Sequence, residues 1–456
     1  MSYGAELPQA ASTAAVHESA LRVLEKTGVL VQDDEAVALF RSRGARCDGR
    51  RVYLDADAVQ AALAAAPSSF VLAGRRPELG LPLGGADGRV FASGSGAAYV
   101  IEGRTMRPGR LADLEATARL GHQLSAIDFN SDCMEPLDLP EEVRTRRGTH
   151  ARLIASDKAI EWVATVDEDL ADAERINEIL FGADWHERPR ALIVLNTTSP
   201  LQISGETARI LMRWARLGQP TCVTACVMGG TTGPATLAGV LVVQHAEVLA
   251  SLVLAQAARE GSAFVYGGIS AMASLRTGAA LFGSPEFARL AGATVGLARR
   301  CGLPVRAGAA ATDAHAVDAL ALAESAAGLA AAALAGGQID DQAVEQDKQG
   351  GGAQVALGDQ DDQRGAGERQ GGGEQSQQVE TDRQVIGQIG GQIDDQQQFE
   401  RFGRLQVDPA AAQPQARPFT ARIYAEDEGQ GGQQQTAGQF KILVAAQQPQ
   451  QAGGAQ

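Results

Sequence analysis

The sequence predicts an α/β protein built on a (β/α)8 barrel of the TIM type with an N-terminal helical extension. From Arg89 onward, short apolar or β-branched runs alternate with longer helical stretches, which indicates parallel strands joined by right-handed crossovers. The run 191–196 (ALIVLN) is almost continuously apolar, as expected for a strand covered on both faces. No Gly-x-Gly-x-x-Gly motif follows the first strand, which favours a barrel over an open dinucleotide-binding sheet.

The elements can be assigned in order along the chain. Residues 13–66 are predicted to be helical, with amphipathic stretches at 17–25 and 34–43 and a capped helix after Asp55. The predicted strands are 90–92 with 97–101, 126–130, 160–165, 191–196, 221–227, 263–267 and 305–308. The predicted helices are 111–124, 141–154, 170–181, 204–217, 235–258, 285–301 and 315–334. These make about seven strand-helix units, so the sequence predicts a barrel that lacks its last strand.

The composition changes abruptly near Gly337. Residues 1–337 contain 8 Gln and every His, Cys, Trp and Met of the chain, whereas residues 338–456 contain 30 Gln and none of those four types. We therefore divide the chain into an N-terminal helical elaboration (1–88), an incomplete (β/α) barrel domain (89–337) and a Gln/Gly-rich tail (338–456). The tail's composition predicts disorder.

Two explanations of the tail stay open. One is a genuine disordered extension. The other is a shifted reading frame, because GC-rich codons for Ala and Gly, read one base off, readily give the Gln codon CAG. The break falls within a predicted helix, which favours the shift.

Charge and motif content exclude several classes of function. A net charge of −15 argues against a nucleic-acid partner, since phosphate binding needs clustered Lys and Arg. The N-terminus has no signal-peptide pattern, and polar residues interrupt the apolar run 240–258, so we expect a cytoplasmic protein without a membrane span. The five cysteines form no CxxC pair or metal-finger spacing, which predicts reduced thiols and no metal site.

Four stretches at predicted strand ends could carry chemistry, since barrel enzymes place their active sites there. They are 196–202 (NTTSPLQ), 228–239 (MGGTTGPATLAG), 266–268 (YGG) and 306–313 (RAGAAATD). No Ser-His-Asp order, His-x-x-x-His pair or phosphate loop accompanies them. Hydrolase and kinase functions therefore have no positive support.

Several of these motifs resemble the trimethylamine methyltransferase family, corrinoid-dependent enzymes that move a methyl group from a methylated amine to cobalt in a partner protein. The resemblance is carried by 199–211 (SPLQISGETARIL), by 230–239 (GTTGPATLAG) with the following Gln244 and Glu247, and by Tyr266-Gly-Gly. It covers residues from about 15 to 335 and none of the tail.

The resemblance also contains a departure. In trimethylamine-specific members a pyrrolysine follows an Asp in a helix; the matching residues here are Asp318 and Ala319. The chain is thus similar to members without pyrrolysine, the glycine betaine demethylases. This implies methyl transfer from a quaternary amine such as a betaine to Co(I) of a cognate corrinoid protein, with no covalently bound cofactor. It leaves a homo-oligomer open.

Two alternatives to that activity remain. The chain could be a frame-broken, inactive remnant of the family, because an incomplete barrel leaves strand edges unpaired. It could also bind a methylated amine without transferring a methyl group.

Candidate substrate-binding residues follow from the chemistry of a quaternary cation, which aromatic faces recognise. Trp162, Phe129 and Tyr266 are the aromatic residues nearest predicted strand ends, and each is also compatible with core packing. Asn196 and Gln202 could contact a carboxylate or corrinoid amides, or cap a turn. No catalytic residue is singled out.

A candidate corrinoid-binding loop consists of Gly230, Thr231, Thr232 and Gly233. Glycine permits a close backbone approach to the planar corrinoid. The same four residues could instead form a tight strand-to-helix turn.

Overall fold

The computed structural model describes residues 10–85, 89–102, 105–336 and 339–341, with side chains between Thr13 and Gly336. Most of the predicted tail, and its predicted disorder, lies outside the described residues. The helices are α1 (Ala10–Lys26), α2 (Asp34–Ser42), α3 (Ala56–Ala65), α4 (Leu111–Gln123), α5 (Glu141–Ala155), α6 (Asp167–Phe181), α7 (Gly205–Arg216), α8 (Leu237–Ala258), α9 (Pro285–Arg300) and α10 (Ala319–Ala335).

The strands are short and follow one another between these helices. They are β1 (Val29–Val31), β2 (Arg46–Asp48), β3 (Arg51–Tyr53), β4 (Ser69–Leu72), β5 (Leu81–Gly84), β6 (Val90–Ala92), β7 (Tyr99–Glu102), β8 (Thr105–Pro108), β9 (Phe129–Asn130), β10 (Ala159–Ile160), β11 (Ile193–Asn196), β12 (Gln202–Ile203), β13 (Thr221–Ala225), β14 (Met228–Gly229), β15 (Phe264–Gly268), β16 (Ala271–Met272), β17 (Val305–Gly308) and β18 (Ile339–Asp341).

Eight strands form one parallel sheet, in the order β10, β9, β6, β18, β17, β15, β13, β11. A parallel bridge pairs Trp162, just after β10, with Ile193 of β11 at the other end of this order. Helices α4 to α10 connect the successive strands. This succession is that of the (β/α)8 TIM-type fold predicted from the sequence.

The predicted absence of the last strand is corrected by β18. Its Ile339 pairs with Arg306 of β17 on one side and with Val90 of β6 on the other. This strand could not be recognised in the sequence because it is three residues long and lies at the start of the Gln-rich segment. A strand this short shows no alternation that could mark it.

The N-terminal region contains strands as well as the predicted helices. β1, β3 and β2 form a sheet to which β12, from the loop after β11, adds in parallel to β1, and β4 pairs with β5 as an antiparallel hairpin. The predicted strand at 97–101 lies in a second hairpin, β7 with β8, outside the main sheet. Strands of two to four residues are too short to show a clear alternation of apolar and polar residues, so the helical pattern of the neighbouring segments dominates the prediction.

The main sheet separates two apolar layers. Leu192, Cys222 and Val265 form an inner cluster with Phe129, and Leu72 of the β4–β5 hairpin packs into it from the N-terminal region. Their neighbours along the strands, such as residues 193, 223 and 266, pack instead against the helices. This alternation of inner and outer positions, two residues per repeat, determines which side chains can reach the centre of the fold.

α8 is the central helix of the outer layer. It is the one described helix long and apolar enough to cross a membrane, but 94% of its most apolar window is buried in the protein. Thr236 caps its start by accepting a hydrogen bond from Gly239 N at 3.1 Å. Burial all round the helix is typical of a core helix.

The start of α10 provides a first test of the fold. Asp318 caps this helix by accepting hydrogen bonds from Leu320 N and Ala321 N at 2.9 and 3.1 Å. We expect Asp318→Ala to lower the free energy of unfolding by about 1 kcal/mol, measured by urea denaturation. Glu178→Ala, at an exposed position within α6, is the control. Equal stability of the two variants would contradict the assigned cap.

Candidate active site

A cavity of about 660 Å³ lies at the carboxyl ends of the main-sheet strands. Its polar lining includes Asp132, Glu161, Asn196, Thr224 and Arg306. Val163, Ile269, Phe282 and Phe287 are among the apolar residues that complete the wall. A pocket of this size and mixed lining suits a small polar ligand.

The strand alternation places these polar groups in the cavity. Asn196 follows Val194 by two residues on the inner face of β11, and Thr224 follows Cys222 in the same way on β13. Arg306 lies between Val305 and Ala307, which both pack against the helices, so its side chain is on the inner face. The cavity therefore begins where the inner apolar cluster ends.

Three charged side chains of the cavity lining, together with Arg152 behind them, form two ion pairs. Arg306 Nη2 lies 3.7 Å from Glu161 Oε2, and Arg152 Nε lies 3.6 Å from Asp132 Oδ1. Arg152 Nη1 also donates to the backbone oxygen of Glu161 at 2.6 Å, which links the pairs. Because two guanidinium groups oppose two carboxylates, the group as a whole is neutral when all four are ionised.

Both acidic members of this group are available to a ligand. Burial raises the pKa of Asp132, while the charge of Arg152 opposes that rise; 27% of the Asp132 side chain stays exposed. Glu161 Oε2 accepts no hydrogen bond within the described part of the chain although it is buried. A buried carboxylate oxygen at 3.7 Å from its cation is not fully satisfied.

The loop after β11 joins two residues that line the cavity, Asn196 and Ser204, and is held by Glu247 of α8. The two carboxylate oxygens accept hydrogen bonds from Thr197 Oγ1 at 2.5 Å, Ser199 Oγ at 2.9 Å and Leu201 N at 2.8 Å. Leu201 has a φ of 55°, in the left-handed region that non-glycine residues rarely adopt. Burial raises the pKa of Glu247 to about 7, against these hydrogen bonds.

The predicted substrate-binding residues divide between several places. Asn196 lines the cavity, and Phe129 lies in the inner cluster. Trp162 and Tyr266 lie on outer positions and pack with the helices. Gln202 belongs to β12, pairs with Leu30 of β1 and accepts a hydrogen bond from the Gln32 side chain at 3.3 Å. The role of these residues in binding stays a prediction.

The predicted corrinoid loop lies between β14 and α8. Gly233 pairs with Gly229 in a parallel bridge, and Gly230 N donates to Gly233 O at 3.1 Å. Gly230 and Thr231 are exposed, and Gly230 has a φ of 88°. The four residues thus form a tight exposed turn, and none of them lines the cavity.

Five cavity residues were not predicted from the sequence: Asp132, Glu161, Arg306, Phe282 and Phe287. Arg306 opens one of the four stretches at predicted strand ends, but nothing local marks it as the partner of Glu161. The usable signal was strand alternation: once Trp162 is placed on the outer face, Glu161 must point inward.

The fold and this cavity together define an α/β protein of the TIM-type class with a charged cavity at the carboxyl ends of its strands. The chain belongs to the trimethylamine methyltransferase (MTTB) family, which it matches over residues 4–343. This confirms the resemblance found in the sequence.

Individual relatives agree with the family assignment. The chain is 36% identical over 325 residues to the glycine betaine methyltransferase of Desulfitobacterium hafniense (strain Y51). This match covers 70% of this chain and 68% of that protein. It is 28% identical over 299 residues to trimethylamine methyltransferase MttB of Desulfitobacterium hafniense (strain DSM 10664 / DCB-2), covering 64% of this chain and 60% of that protein. The chain therefore spans about three fifths to two thirds of these curated relatives.

Among solved structures, the monomethylamine methyltransferase (MtmB) of Methanosarcina barkeri is similar, with 12% sequence identity and a TM-score of 0.48. The match covers 75% of this chain and 76% of that one.

Proposed function

We propose that this chain transfers a methyl group from a small betaine, a quaternary ammonium compound that also carries a carboxylate, to Co(I) of a separate corrinoid protein. The observation that carries the substrate class is the presence of both signs of charge on one cavity wall. Arg306 offers a cation to the carboxylate, and Asp132 and Glu161 offer anions to the ammonium group.

The neutrality of the charged group favours a zwitterion over a simple cation. A zwitterion adds no net charge to the cavity, so each of its ends can replace part of an existing pair. A purely cationic amine would be repelled by the charge of Arg306. Phe282 and Phe287 supply aromatic surface in the same cavity, suited to the methyl groups of the ammonium.

Trimethylamine is a less suitable substrate on the same argument. Ala319, which takes the pyrrolysine position in the resemblance, is the first residue of α10 after its cap. A methyl side chain can neither form a covalent adduct nor donate a hydrogen bond. A quaternary amine needs no such activation, because its nitrogen already carries the positive charge.

The transfer then requires mainly positioning. The bond between nitrogen and the methyl carbon breaks, its electron pair stays on nitrogen, and the product leaves as a neutral tertiary amine. Co(I) supplies the electron pair that forms the new bond to carbon. The chain's own residues hold the carboxylate, hold the cation and exclude water, which aligns the methyl carbon with its acceptor.

The corrinoid is a substrate delivered by a partner in this proposal. A corrinoid macrocycle is larger than the cavity, so it would have to approach the mouth rather than enter. The exposed Gly230–Gly233 turn has backbone close to the surface and is our candidate for that approach. We propose a cytoplasmic location for this reaction.

Calorimetric titration of the 456-residue chain tests the substrate class. We expect glycine betaine to bind at least about tenfold more tightly than choline, because choline keeps the trimethylammonium group but replaces the carboxylate with a hydroxyl. A charge-assisted hydrogen bond contributes about 1.5–3 kcal/mol. Equal affinities would contradict the assigned role of the carboxylate, and binding of trimethylamine in preference to both would overturn the substrate class.

A second candidate function is binding of the betaine without methyl transfer. It is favoured by the end of the family match at residue 343. Mixing the betaine-bound chain with chemically reduced cobalamin, and following the loss of Co(I) absorbance, separates the two. Turnover by the Desulfitobacterium hafniense glycine betaine methyltransferase, with none by this chain, would leave binding as its function.

A further inference from the structure

A group of potential metal ligands lies on the helical side of the main sheet. His17 of α1, His245 of α8 and Cys301 just after α9 each place one ligand atom within 4.8 Å of the other two. The chain contains six histidines and five cysteines, all before residue 338. Three of these eleven side chains thus converge from distant parts of the sequence.

The two imidazoles already face each other. His17 Nδ1 lies 2.9 Å from His245 Nε2, and the other nitrogen of His245, Nδ1, is 2.9 Å from Tyr266 Oη. A hydrogen-bond partner on the second nitrogen is the arrangement that orients a metal-binding histidine. With His245 Nδ1 as donor to the tyrosine oxygen, Nε2 keeps its lone pair for a metal.

We propose that His17, His245 and Cys301 form a binding site for a zinc-like divalent transition metal that fastens α1 to the barrel helices α8 and α9. Two nitrogens and one sulfur are a donor set that Zn²⁺ and Co²⁺ accept, with water as the fourth ligand. The site is separate from the cavity, since none of the three residues lines it.

The geometry needs only small movements. In a tetrahedral zinc site the bond lengths imply about 3.3 Å between two nitrogens and about 3.6 Å between nitrogen and sulfur. The histidine nitrogens, 2.9 Å apart, would separate by a few tenths of an ångström, and the sulfur, within 4.8 Å of both nitrogens, would move inward by at most about 1.2 Å. His17 and Cys301 are half-buried while His245 is fully buried, which leaves a path for the ion.

Binding of the ion must displace two protons from the site. With His245 Nδ1 as donor to Tyr266, His17 Nδ1 carries the proton that it shares with His245 Nε2 at 2.9 Å, so that proton must move to the other nitrogen of His17. The thiol of Cys301 must also lose its proton, because the thiolate is the form that binds a metal.

Addition of Co²⁺ to the purified 456-residue chain tests the site. We expect a sulfur-to-cobalt charge-transfer band in the near ultraviolet and one equivalent of Zn²⁺ that displaces the cobalt. Cys301→Ser should remove the band, and His17→Asn should weaken zinc binding at least about tenfold. Tyr266→Phe should weaken it by about 10-fold to 100-fold, the usual effect of losing the group that orients a ligand.

Two variants serve as matched controls. Cys47→Ser and His186→Asn remove a thiol and an imidazole elsewhere, and both should bind the metal as the wild type does. Circular dichroism shows whether each variant folds. If a ligand variant fails to fold, the wild-type cobalt spectrum decides alone, and a spectrum without a thiolate band overturns the proposal. If Cys301→Ser folds, an unchanged zinc affinity in that variant overturns it as well.

Discussion

Replacing Arg306 with methionine is expected to abolish the preference for a betaine and to destabilise the fold. The variant removes the cation opposite the substrate carboxylate, so betaine affinity should fall by about 10-fold to 100-fold. It also leaves Glu161 as a buried, uncompensated charge, which costs about 3–5 kcal/mol when one partner of a buried pair is removed. Calorimetric titration and urea denaturation measure the two effects.

A double variant separates the two effects of Arg306→Met. Combining it with Glu161→Gln removes the stranded charge and should restore most of the lost stability, since neutral replacement of a buried pair is often tolerated. The betaine affinity of the double variant should stay as low as that of Arg306→Met. Wild-type betaine affinity in Arg306→Met would exclude Arg306 from substrate recognition.

Replacing Glu247 with alanine is expected to release the loop after β11. Thr197, Ser199 and Leu201 would lose their common acceptor, and each buried unsatisfied donor costs about 1–3 kcal/mol. We expect a loss of about 3 kcal/mol or more in the free energy of unfolding, with weaker betaine binding because Asn196 directly precedes this loop. Glu247→Gln keeps a carbonyl acceptor and should lose less.

The pH dependence of stability gives Glu247 a distinct signature. Its pKa is about 7 in the folded protein and about 4.3 for an unperturbed Glu, so the folded state holds the proton more tightly. The contribution of this raised pKa to the free energy of unfolding is therefore fully present below pH 4.3 and is lost as the pH rises through 7. Cys226, whose pKa burial raises to about 11 with a further contribution from Glu247, stays neutral over this range.

The difference between the wild type and Glu247→Gln isolates this contribution. Thermal melts between pH 5 and pH 8 should show the wild type losing stability relative to the variant as the pH rises. If the melting temperatures of the wild type and the variant change in parallel with pH, the pKa of Glu247 is not raised in the folded protein.

The sequence predicted the order of strands and helices well because each central element is long or strongly apolar. The strands β11, β13, β15 and β17 and the helices α7 to α9 lie within a few residues of their predicted bounds. β18 escaped prediction because three residues carry too little pattern, and the N-terminal strands escaped for the same reason.

The candidate site was less predictable because it depends on contacts between distant elements. Proximity to a strand end drew attention to Trp162 and Tyr266, whereas the face of the strand decides which residues reach the cavity. Glu161, the neighbour of Trp162, is on the inner face. The Asp132–Arg152 ion pair joins a loop to helix α5. The spacing of these two residues in the sequence does not predict such a pair.

The hairpin of β4 and β5 has a consequence for the order of events in the proposed reaction. Leu72 and Leu83 pack with Phe129 beneath the cavity, so exchange of small molecules takes place on the carboxyl-end side, where the corrinoid partner would also dock. The amine must then enter before the partner arrives, and the demethylated product must leave after it departs. This predicts compulsory-order kinetics: inhibition by the demethylated product should be competitive with the betaine and not with the corrinoid protein.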